Sequence, residues 1–163
     1  MEESFYLSDR YKYLKHVGTG TFGMVVAALD QLHDKKVAIK KLRTINDVSD
    51  AKRALREIRI LKNLRHENIL GVTDILYCPK PKYFYIIKNS LVIGDIYLVS
   101  ELMQTDLYRL INAVHILLDD EHVKYITYQL IKALLFIHTA NIIHRDIKPS
   151  NILINESCDI KVW

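Results

Sequence analysis

Cysteine is scarce in this sequence of 163 residues, which contains only Cys78 and Cys158. The two lie far apart and match neither a zinc-ligand spacing nor a disulfide framework, so they indicate a reducing compartment. The sequence also lacks an apolar run long enough to cross a bilayer. Its first residues have neither the basic nor the apolar region of a signal peptide. We therefore expect a soluble intracellular protein with no membrane partner, located in the cytoplasm, with the nucleus left open as a further location.

The sequence also has only a small excess of positive over negative charge. The 23 lysines and arginines are opposed by 19 aspartates and glutamates, which leaves a net charge of +4. This excess is spread along the sequence and forms no basic arm, so we expect no nucleic-acid partner. With 50% hydrophobic and 26% charged residues, the composition is that of a globular protein, and the length suffices for one ordinary domain with a core.

Glycine is also rare, but three of the five glycines, Gly18, Gly20 and Gly23, fall within one short stretch. A lone G-x-G-x-x-G pattern is a weak signal, and a helix directly after it would favour a dinucleotide-binding fold. Here a strand-like run, Val25–Ala28, follows instead, then a polar turn and another strand that ends at Lys40. Because glycines have no Cβ, their backbone N–H groups can approach phosphates closely. We interpret the stretch as a phosphate-binding turn, with an ordinary flexible hairpin as the alternative.

A helical period appears within Asp47–Leu64. Its apolar residues recur at spacings of three and four: Ala51, Ala54, Leu55, Ile58 and Leu61. Ser49 or Asp50 is expected to cap the start of this helix. Glu57 lies beside the apolar stripe, so we expect it to face the protein body and to pair with Lys40, although a solvent-exposed glutamate is the alternative. A buried pair of this kind is a doubtful stabiliser, which favours a functional role.

Further elements follow from the same patterns. They are a turn and a strand over 66–76, a buried strand at Ile96–Val99, a short helix at Asp106–Val114, a longer helix from Asp119 to near Asn141, and a hairpin of Ile152–Ile154 with Ile160–Val162. The longer helix carries one apolar stripe, formed by Val123, Ile126, Leu130, Leu134 and Ile137. Residues 79–94 are predicted to form an added hairpin whose function the sequence does not indicate.

The most specific stretch is His144–Asn151, a predicted loop between a helix and a strand. Asp146 and Asn151 lie five residues apart with Lys148 between them. Catalysis of phosphoryl transfer is mostly positioning and charge neutralisation. A carboxylate can accept a hydroxyl proton, an ammonium can meet a phosphate oxygen, and an amide can ligate Mg²⁺. Each residue alone is more often a surface polar group, but the whole run matches the catalytic loop of protein kinases.

With these motifs in this order, the sequence resembles the amino-terminal part of a eukaryotic protein kinase, and within that superfamily a mitogen-activated protein kinase of the extracellular-signal-regulated type. The runs that argue for the subgroup are Leu55–Leu61, His66–Ile69, Leu102–Tyr108 and His144–Leu153. Cyclin-dependent kinases rank second, because their characteristic helix sequence does not stand at Ala51–Glu57. The resemblance implies an α+β fold. Its β-rich amino-terminal lobe and hinge would occupy about 11–103, with one regulatory helix, and the first, incomplete part of a helical lobe would occupy 104–163.

The resemblance also implies ATP and Mg²⁺ as cofactors and gives roles to single residues. Lys40, oriented by Glu57, would hold the α- and β-phosphates. Asp146 would deprotonate the substrate hydroxyl, Lys148 would neutralise the γ-phosphate, and Asn151 would bind one Mg²⁺. The full set implied to contact ATP is Val17, Gly18, Thr19, Gly20, Thr21, Phe22, Gly23, Val25, Ala38, Lys40, Ser100, Glu101, Met103, Asp106 and Leu153.

The implied function is that of a Ser/Thr protein kinase in intracellular signalling. Its implied partners are protein substrates and an upstream MAP kinase kinase. Arg56 and Arg145 resemble the arginines that grip a phosphothreonine of the activation loop.

Two departures from the family pattern are visible. Ser100 is smaller than the side chain usual at the position behind the adenine, so we predict a deeper pocket there, with a neighbouring side chain that fills the space as the alternative. The sequence also stops at Trp163, just before the position of the Mg²⁺-binding Asp-Phe-Gly motif and the activation loop. We therefore expect a fragment in which the stripe of the longer helix lacks its packing surface. A catalytically inactive module that binds nucleotide or a partner is the alternative function.

Overall fold

The computed structural model describes residues 5, 7–20, 23–42, 48–78, 95–114 and 118–163. They group into two compact units. The first unit is formed by Met1–Lys62 and Val72–Leu102, and the second by Asn63–Gly71 and Met103–Trp163.

Two sequence predictions lie outside the described residues. They are the added hairpin over 79–94 and the tip of the glycine turn, Thr21 and Phe22. In the part of the chain that the structure describes, no helix combines the length and the apolar character needed to cross a membrane.

The first unit is built on five strands. They are β1 Tyr11–Gly20, β2 Gly23–Asp30, β3 Lys35–Lys41, β4 Val72–Cys78 and β5 Asp95–Glu101. They form one antiparallel sheet in the order β1-β2-β3-β5-β4. Together with the helix described below, this sheet confirms the predicted β-rich fold with one helix.

One hydrophobic cluster of the first unit lies on one face of this sheet. Because side chains alternate between faces along a strand, every second residue contributes: Tyr11, Val26, Ala28, Val37, Ile39, Tyr97 and Val99. The ring of Phe5 packs edge-on against Tyr97, with centroids 4.9 Å apart. Each large buried side chain is worth about 1.5–3 kcal/mol, so this face accounts for much of the stability of the unit.

Strand β1 lies at an edge of the sheet and is irregular. Its pairing with β2 shifts register between Tyr13 and Lys15 and again between His16 and Gly18. Lys12 and Lys15 are exposed along it. The opposite edge of the sheet is β4.

A charged network joins the start of β1 to β2 and β4. The Arg10 guanidinium donates to both carboxylate oxygens of Asp30, at 2.8 and 2.7 Å, and to Asp74 at 3.0 Å. The hydroxyl of Tyr11 also donates to Asp74, at 2.8 Å. The Arg10 guanidinium holds the pKa of Asp30 well below its usual range. Burial, followed by the bond to Asp74, raises the pKa of Tyr11.

The helix of the first unit, α1, spans Val48–Asn63. Ser49 and Asp50 therefore lie in its first turn, and the prediction that one of them is the cap was wrong. None of the described side chains of α1 is buried, and Leu55 is 48% exposed. The predicted stripe was thus wrong at Leu55, which lies at one edge of the arc that its five members span.

The second unit combines a small sheet with two helices. Strands β6 Thr105–Asp106, β7 Ile152–Ile154 and β8 Ile160–Val162 pair in that order. Helix α2 spans Leu107–Ile111 and α3 spans Asp120–Thr139. Each begins at an aspartate that accepts a backbone N–H three residues ahead: Asp106 from Arg109, and Asp119 from His122.

The apolar stripe of α3 has a packing partner within this chain. Ile126 is buried against Leu107 of α2 and against Ile152, Ile154 and Ile160 of the β7–β8 hairpin. The expectation that the stripe lacks its surface was therefore wrong for Ile126 and for the partly buried Leu130, which the hairpin and α2 cover. Val123 is 50% exposed and lies off this contact.

Gln129 of α3 is buried at 4% exposure and closes the free side of strand β8. Its Nε2 donates to the carbonyl of Cys158 at 2.8 Å, and its Oε1 accepts from the N–H of Ile160 at 3.0 Å. Oε1 also accepts from Nδ2 of Asn68 at 2.9 Å, and that nitrogen donates in addition to the carbonyl of Ile160. The two amides lie beside Val162, whose N–H donates to the backbone carbonyl of Asn68 at 2.9 Å. Together these contacts occupy the outer side of β8 and tie the hairpin to α3.

We expect Gln129→Ala to lower the free energy of unfolding by about 2–4 kcal/mol, because it leaves buried peptide groups of Cys158 and Ile160 without partners. Urea unfolding followed by circular dichroism measures this. The matched control is Gln104→Ala, at an exposed glutamine, which should change the value by less than about 0.5 kcal/mol. Equal losses in the two variants would contradict the role given to Gln129.

Candidate active site

The first unit places a buried lysine beside a carboxylate. Nζ of Lys40 on β3 lies 2.7 Å from Oε1 of Glu57 on α1, and the side chains are 7% and 33% exposed. Burial lowers the pKa of Lys40, while the negative charge and the hydrogen bond of Glu57 oppose that shift. The predicted pairing is therefore present. It supplies a cation that is largely withdrawn from water and held in one position.

The strand register places small side chains on the same sheet face as Lys40. Lys40 stands opposite Val25 on β2 and Leu98 on β5, and Ala38 stands opposite Ser100. Ser100 and Leu98 are buried, whereas Val25 and Ala38 are partly accessible. The face beside the ammonium is thus apolar and built partly from residues that take little space. Such a surface suits a flat, uncharged ring system.

The glycine turn connects β1 and β2 as predicted. Gly20 stands opposite Gly23 at the end of the paired strands. Gly23 has a φ of 119°, a conformation that side chains with a Cβ rarely adopt. Val17 falls within the second register shift of β1, between His16 and Gly18. Gly18 and Thr19 belong to β1 as well.

In the second unit, three of the predicted catalytic residues come together. Nδ2 of Asn151 donates to Oδ2 of Asp146 and to its backbone carbonyl, both at 2.8 Å. Nζ of Lys148 lies 2.9 Å from the same carboxylate oxygen. Asn151 is buried at 9% exposure in a turn of 3-10 helix, Pro149–Asn151, while the side chains of Asp146 and Lys148 remain accessible. A fixed amide therefore orients an accessible carboxylate.

The two contacts of the Asp146 carboxylate shift its pKa in the same direction. The bond to Lys148, and after it the bond to Asn151, lowers the pKa of Asp146 below the ordinary value. The carboxylate is thus ionised at neutral pH and can accept a proton. Both described contacts of the Asn151 side chain use Nδ2, and amide oxygens such as its Oδ1 are among the oxygen donors that Mg²⁺ accepts.

His144 supports the same loop, a role that the sequence did not suggest. Its Nε2 lies 2.7 Å from the carbonyl of Trp163, and its Nδ1 accepts from the N–H of Asp146 at 3.2 Å. Because a carbonyl can only accept, the proton of the neutral imidazole belongs on Nε2. Trp163 in turn donates its N–H to the carbonyl of Asn151 at 3.0 Å. Between these residues, Arg145 has a φ of 69°, in the left-handed region.

The other predicted contact residues are distributed over both units. Glu101 ends β5 with an exposed side chain, whereas Met103 is buried in the second unit. Asp106 caps α2 and stands opposite Leu153 in the β6–β7 pairing. Arg56 is exposed on α1. These placements leave the roles implied for these residues as predictions.

Sequence reasoning missed Leu98, the contacts of His144 and the position of Gln129. Leu98 is identified by register alone, since it lies within the continuous apolar run Ile96–Val99. One feature of the sequence could have identified Gln129: it is a polar residue on the buried face of a helix whose other buried residues are apolar. Its partners Asn68 and Ile160 are 61 and 31 residues away, which no local pattern reveals.

Comparison with known proteins gives a consistent result. A family model described as the protein kinase domain matches residues 11–163. The chain is 43% identical over 159 residues to the mitogen-activated protein kinase spk1 of Schizosaccharomyces pombe, covering 98% of this chain and 40% of that protein. It is 44% identical to the mitogen-activated protein kinase mpkC of Aspergillus niger, covering 98% and 37%. It is 43% identical to extracellular signal-regulated kinase 1 of Dictyostelium discoideum, covering 97% and 28%. The chain thus spans about two fifths or less of the length of these relatives.

Removal of the lysine partner should change the titration of Asp146. In Lys148→Ala we expect the pKa of the Asp146 carboxyl to rise toward its ordinary value, because the ammonium at 2.9 Å is the largest cause of its lowering. The carboxyl then takes up its proton at a higher pH than in the parent chain, which carboxyl-detected NMR titration measures. Lys124→Ala, at an exposed lysine of α3, should leave the titration unchanged. An identical curve for Lys148→Ala would contradict the ion pair.

Proposed function

The chain belongs to the protein kinase family, and from that membership we propose that it carries the phosphoryl-transfer residues of a Ser/Thr protein kinase of the MAP kinase type. The reaction moves the γ-phosphoryl group of ATP to the hydroxyl of a serine or threonine in a protein. The observation that carries this proposal is the cluster of Asp146, Lys148 and Asn151, in which two fixed partners hold one ionised, accessible carboxylate.

We assign the phosphates of ATP to Lys40 and to the glycine turn. The ammonium of Lys40 is fixed by Glu57 at 2.7 Å, so it presents a positioned charge without further ordering cost. The turn ends at Gly23, where the backbone adopts a conformation that favours glycine. Backbone N–H groups in such a turn can bind phosphate oxygens directly. ATP, when bound, supplies the phosphoryl group, and these residues would bind and orient it.

The adenine ring is assigned to the apolar face beside Lys40. Val25, Ala38 and Ser100 lie on that face, and neither Ala38 nor Ser100 projects far from the sheet. The face fits a flat heterocycle better than a bulky or charged group. The contacts implied for Met103, Asp106 and Leu153 stay predictions, as does the role of Val17.

We assign the proton transfer to Asp146. As the substrate oxygen bonds to phosphorus and ADP leaves, the hydroxyl proton passes to the carboxylate of Asp146. Asn151 holds that carboxylate through Nδ2, and its Oδ1 would hold Mg²⁺, which would supply neutralisation of the phosphate charge. Lys148 lies close enough to Asp146 to keep it ionised before the reaction. General-base assistance of this kind contributes about 10²–10⁴ in rate.

The substrates and regulators follow from the type of kinase. We propose proteins with accessible serine or threonine hydroxyls as substrates, and a MAP kinase kinase as the upstream activator. Arg56 and Arg145 are assigned to a phosphothreonine, since both are exposed guanidinium groups and guanidinium groups bind phosphates through paired hydrogen bonds.

Titration of the chain with a fluorescent ATP analogue, with and without Mg²⁺, tests the nucleotide site. We expect Lys40→Met to weaken binding about tenfold, the effect of losing one favourable charge contact. The matched control is Lys41→Met, which removes the neighbouring buried lysine, paired with Asp95 at 3.1 Å, from the opposite face of the same strand. Asn151→Ala should abolish the effect of Mg²⁺. Absence of nucleotide binding by the folded parent chain would contradict the proposal.

Ser100 should make the nucleotide site tolerant of larger purines. We expect the chain to bind an ATP analogue with a benzyl group on the adenine amine about as tightly as ATP. Ser100→Met should weaken binding of the analogue about tenfold and leave ATP binding unchanged, because it fills the space beside Ala38. Ser100→Ala, which removes only the hydroxyl, is the control and should accept both nucleotides. If the parent chain binds ATP but does not bind the analogue, a neighbouring side chain fills the space and the prediction is wrong.

A further inference from the structure

Strand β1 contains an extra residue just before it enters the glycine turn. His16 stands opposite Val26, and Gly18 stands opposite Val25, the next residue of β2, so Val17 is the residue left over. A bulge of this kind interrupts the ladder of backbone hydrogen bonds and bends the strand. Among the described strands only β2 pairs with β1, so the start of the turn is weakly held by the sheet itself.

The bulge places the side chains of His16 and Thr19 on one face of the sheet. In a regular strand, residues three apart point to opposite faces, but the extra residue between these two reverses that relation. Nε2 of His16 lies 2.9 Å from Oγ1 of Thr19. Because a hydroxyl can both donate and accept, this hydrogen bond forms with either tautomer of the imidazole. A side-chain bond therefore spans the place where the backbone ladder is interrupted.

The hydrogen bond between these two side chains lies on the face of the sheet away from Lys40. The partners of His16 and Thr19 on β2 belong to the hydrophobic cluster of the first unit or pack against it. Lys40 stands opposite Val25, and so does Gly18, which places these three residues on the other face. The side chains of His16 and Thr19 therefore face away from the assigned phosphate site, while the backbone of Gly18 lies between them.

We infer that His16 is a positioning residue for phosphate binding: its hydrogen bond with Thr19 spans the bulge and holds the backbone N–H groups of the turn in the conformation that binds ATP. The inference rests on the proposed function, since it concerns the same nucleotide site. Backbone N–H groups bind a phosphate well when they already point toward one place. A strand interrupted by a bulge must otherwise be ordered during binding, and the side-chain bond removes part of that cost.

Titration calorimetry of the full chain with ATP and with adenosine tests the inference. We expect His16→Leu and Thr19→Val each to weaken ATP binding about threefold, the effect of one exposed hydrogen bond. Adenosine binding should stay unchanged, because adenosine has no phosphates for the turn to bind. His16→Gln and Thr19→Ser keep a hydrogen-bonding group at each position and should restore ATP binding. The double variant His16→Leu, Thr19→Val should bind ATP no more weakly than either single variant, since both remove the same bond.

Matched controls are His138→Leu and Thr127→Val, at exposed positions of α3, which should leave both affinities unchanged. If the parent chain binds ATP and the variants at His16 and Thr19 bind it equally well, the inference is overturned while the proposed function stands. Equal losses for ATP and adenosine also overturn it, because they would show a disturbed strand instead of a positioned turn. If the folded parent chain does not bind ATP, the inference and the proposed function are both wrong.

Discussion

A lysine ammonium that is withdrawn from water needs an anion beside it, and this requirement governs the first unit. Lys40 projects from the middle of the sheet with a side chain that is 7% exposed, and Glu57 meets it at 2.7 Å. No described side chain of α1 is fully buried, and the contact of Glu57 with Lys40 is a defined tie between this helix and strand β3. Removing either partner would leave an uncompensated charge, which is far more costly than the pair is stabilising.

In the second unit, neutral side-chain amides pair with polar groups that would otherwise lack a partner. Gln129 and Asn68 occupy the peptide groups along the free side of β8, and Asn151 holds the carboxylate of Asp146 in the same manner. Side-chain amides suit this task because they donate and accept at once and carry no charge that burial would penalise. The β7–β8 hairpin, which follows the loop of the proposed proton acceptor, is thereby joined to α3.

Local pattern sufficed for the strands, the helices and the grouping of Asp146, Lys148 and Asn151, since alternation, helical period and short-range spacing are properties of neighbouring residues. It also indicated the Lys40–Glu57 pair, although only through the kinase resemblance. It failed at Leu55 and Val123, where an apolar residue near a stripe was taken as part of it. It could not reach Leu98, Gln129 or the contacts of His144, which depend on register or on partners brought close by the fold.

Strand β1 has a consequence for how the protein behaves in concentrated solution. An unpaired strand edge is a template on which another chain can add a strand and begin a fibril. The two register shifts of β1 interrupt the regular ladder that such addition requires, and the lysines at 12 and 15 would bring like charges together if two copies met there. The edge formed by β1 therefore disfavours the nucleation of amyloid fibrils, although this strand is ten residues long.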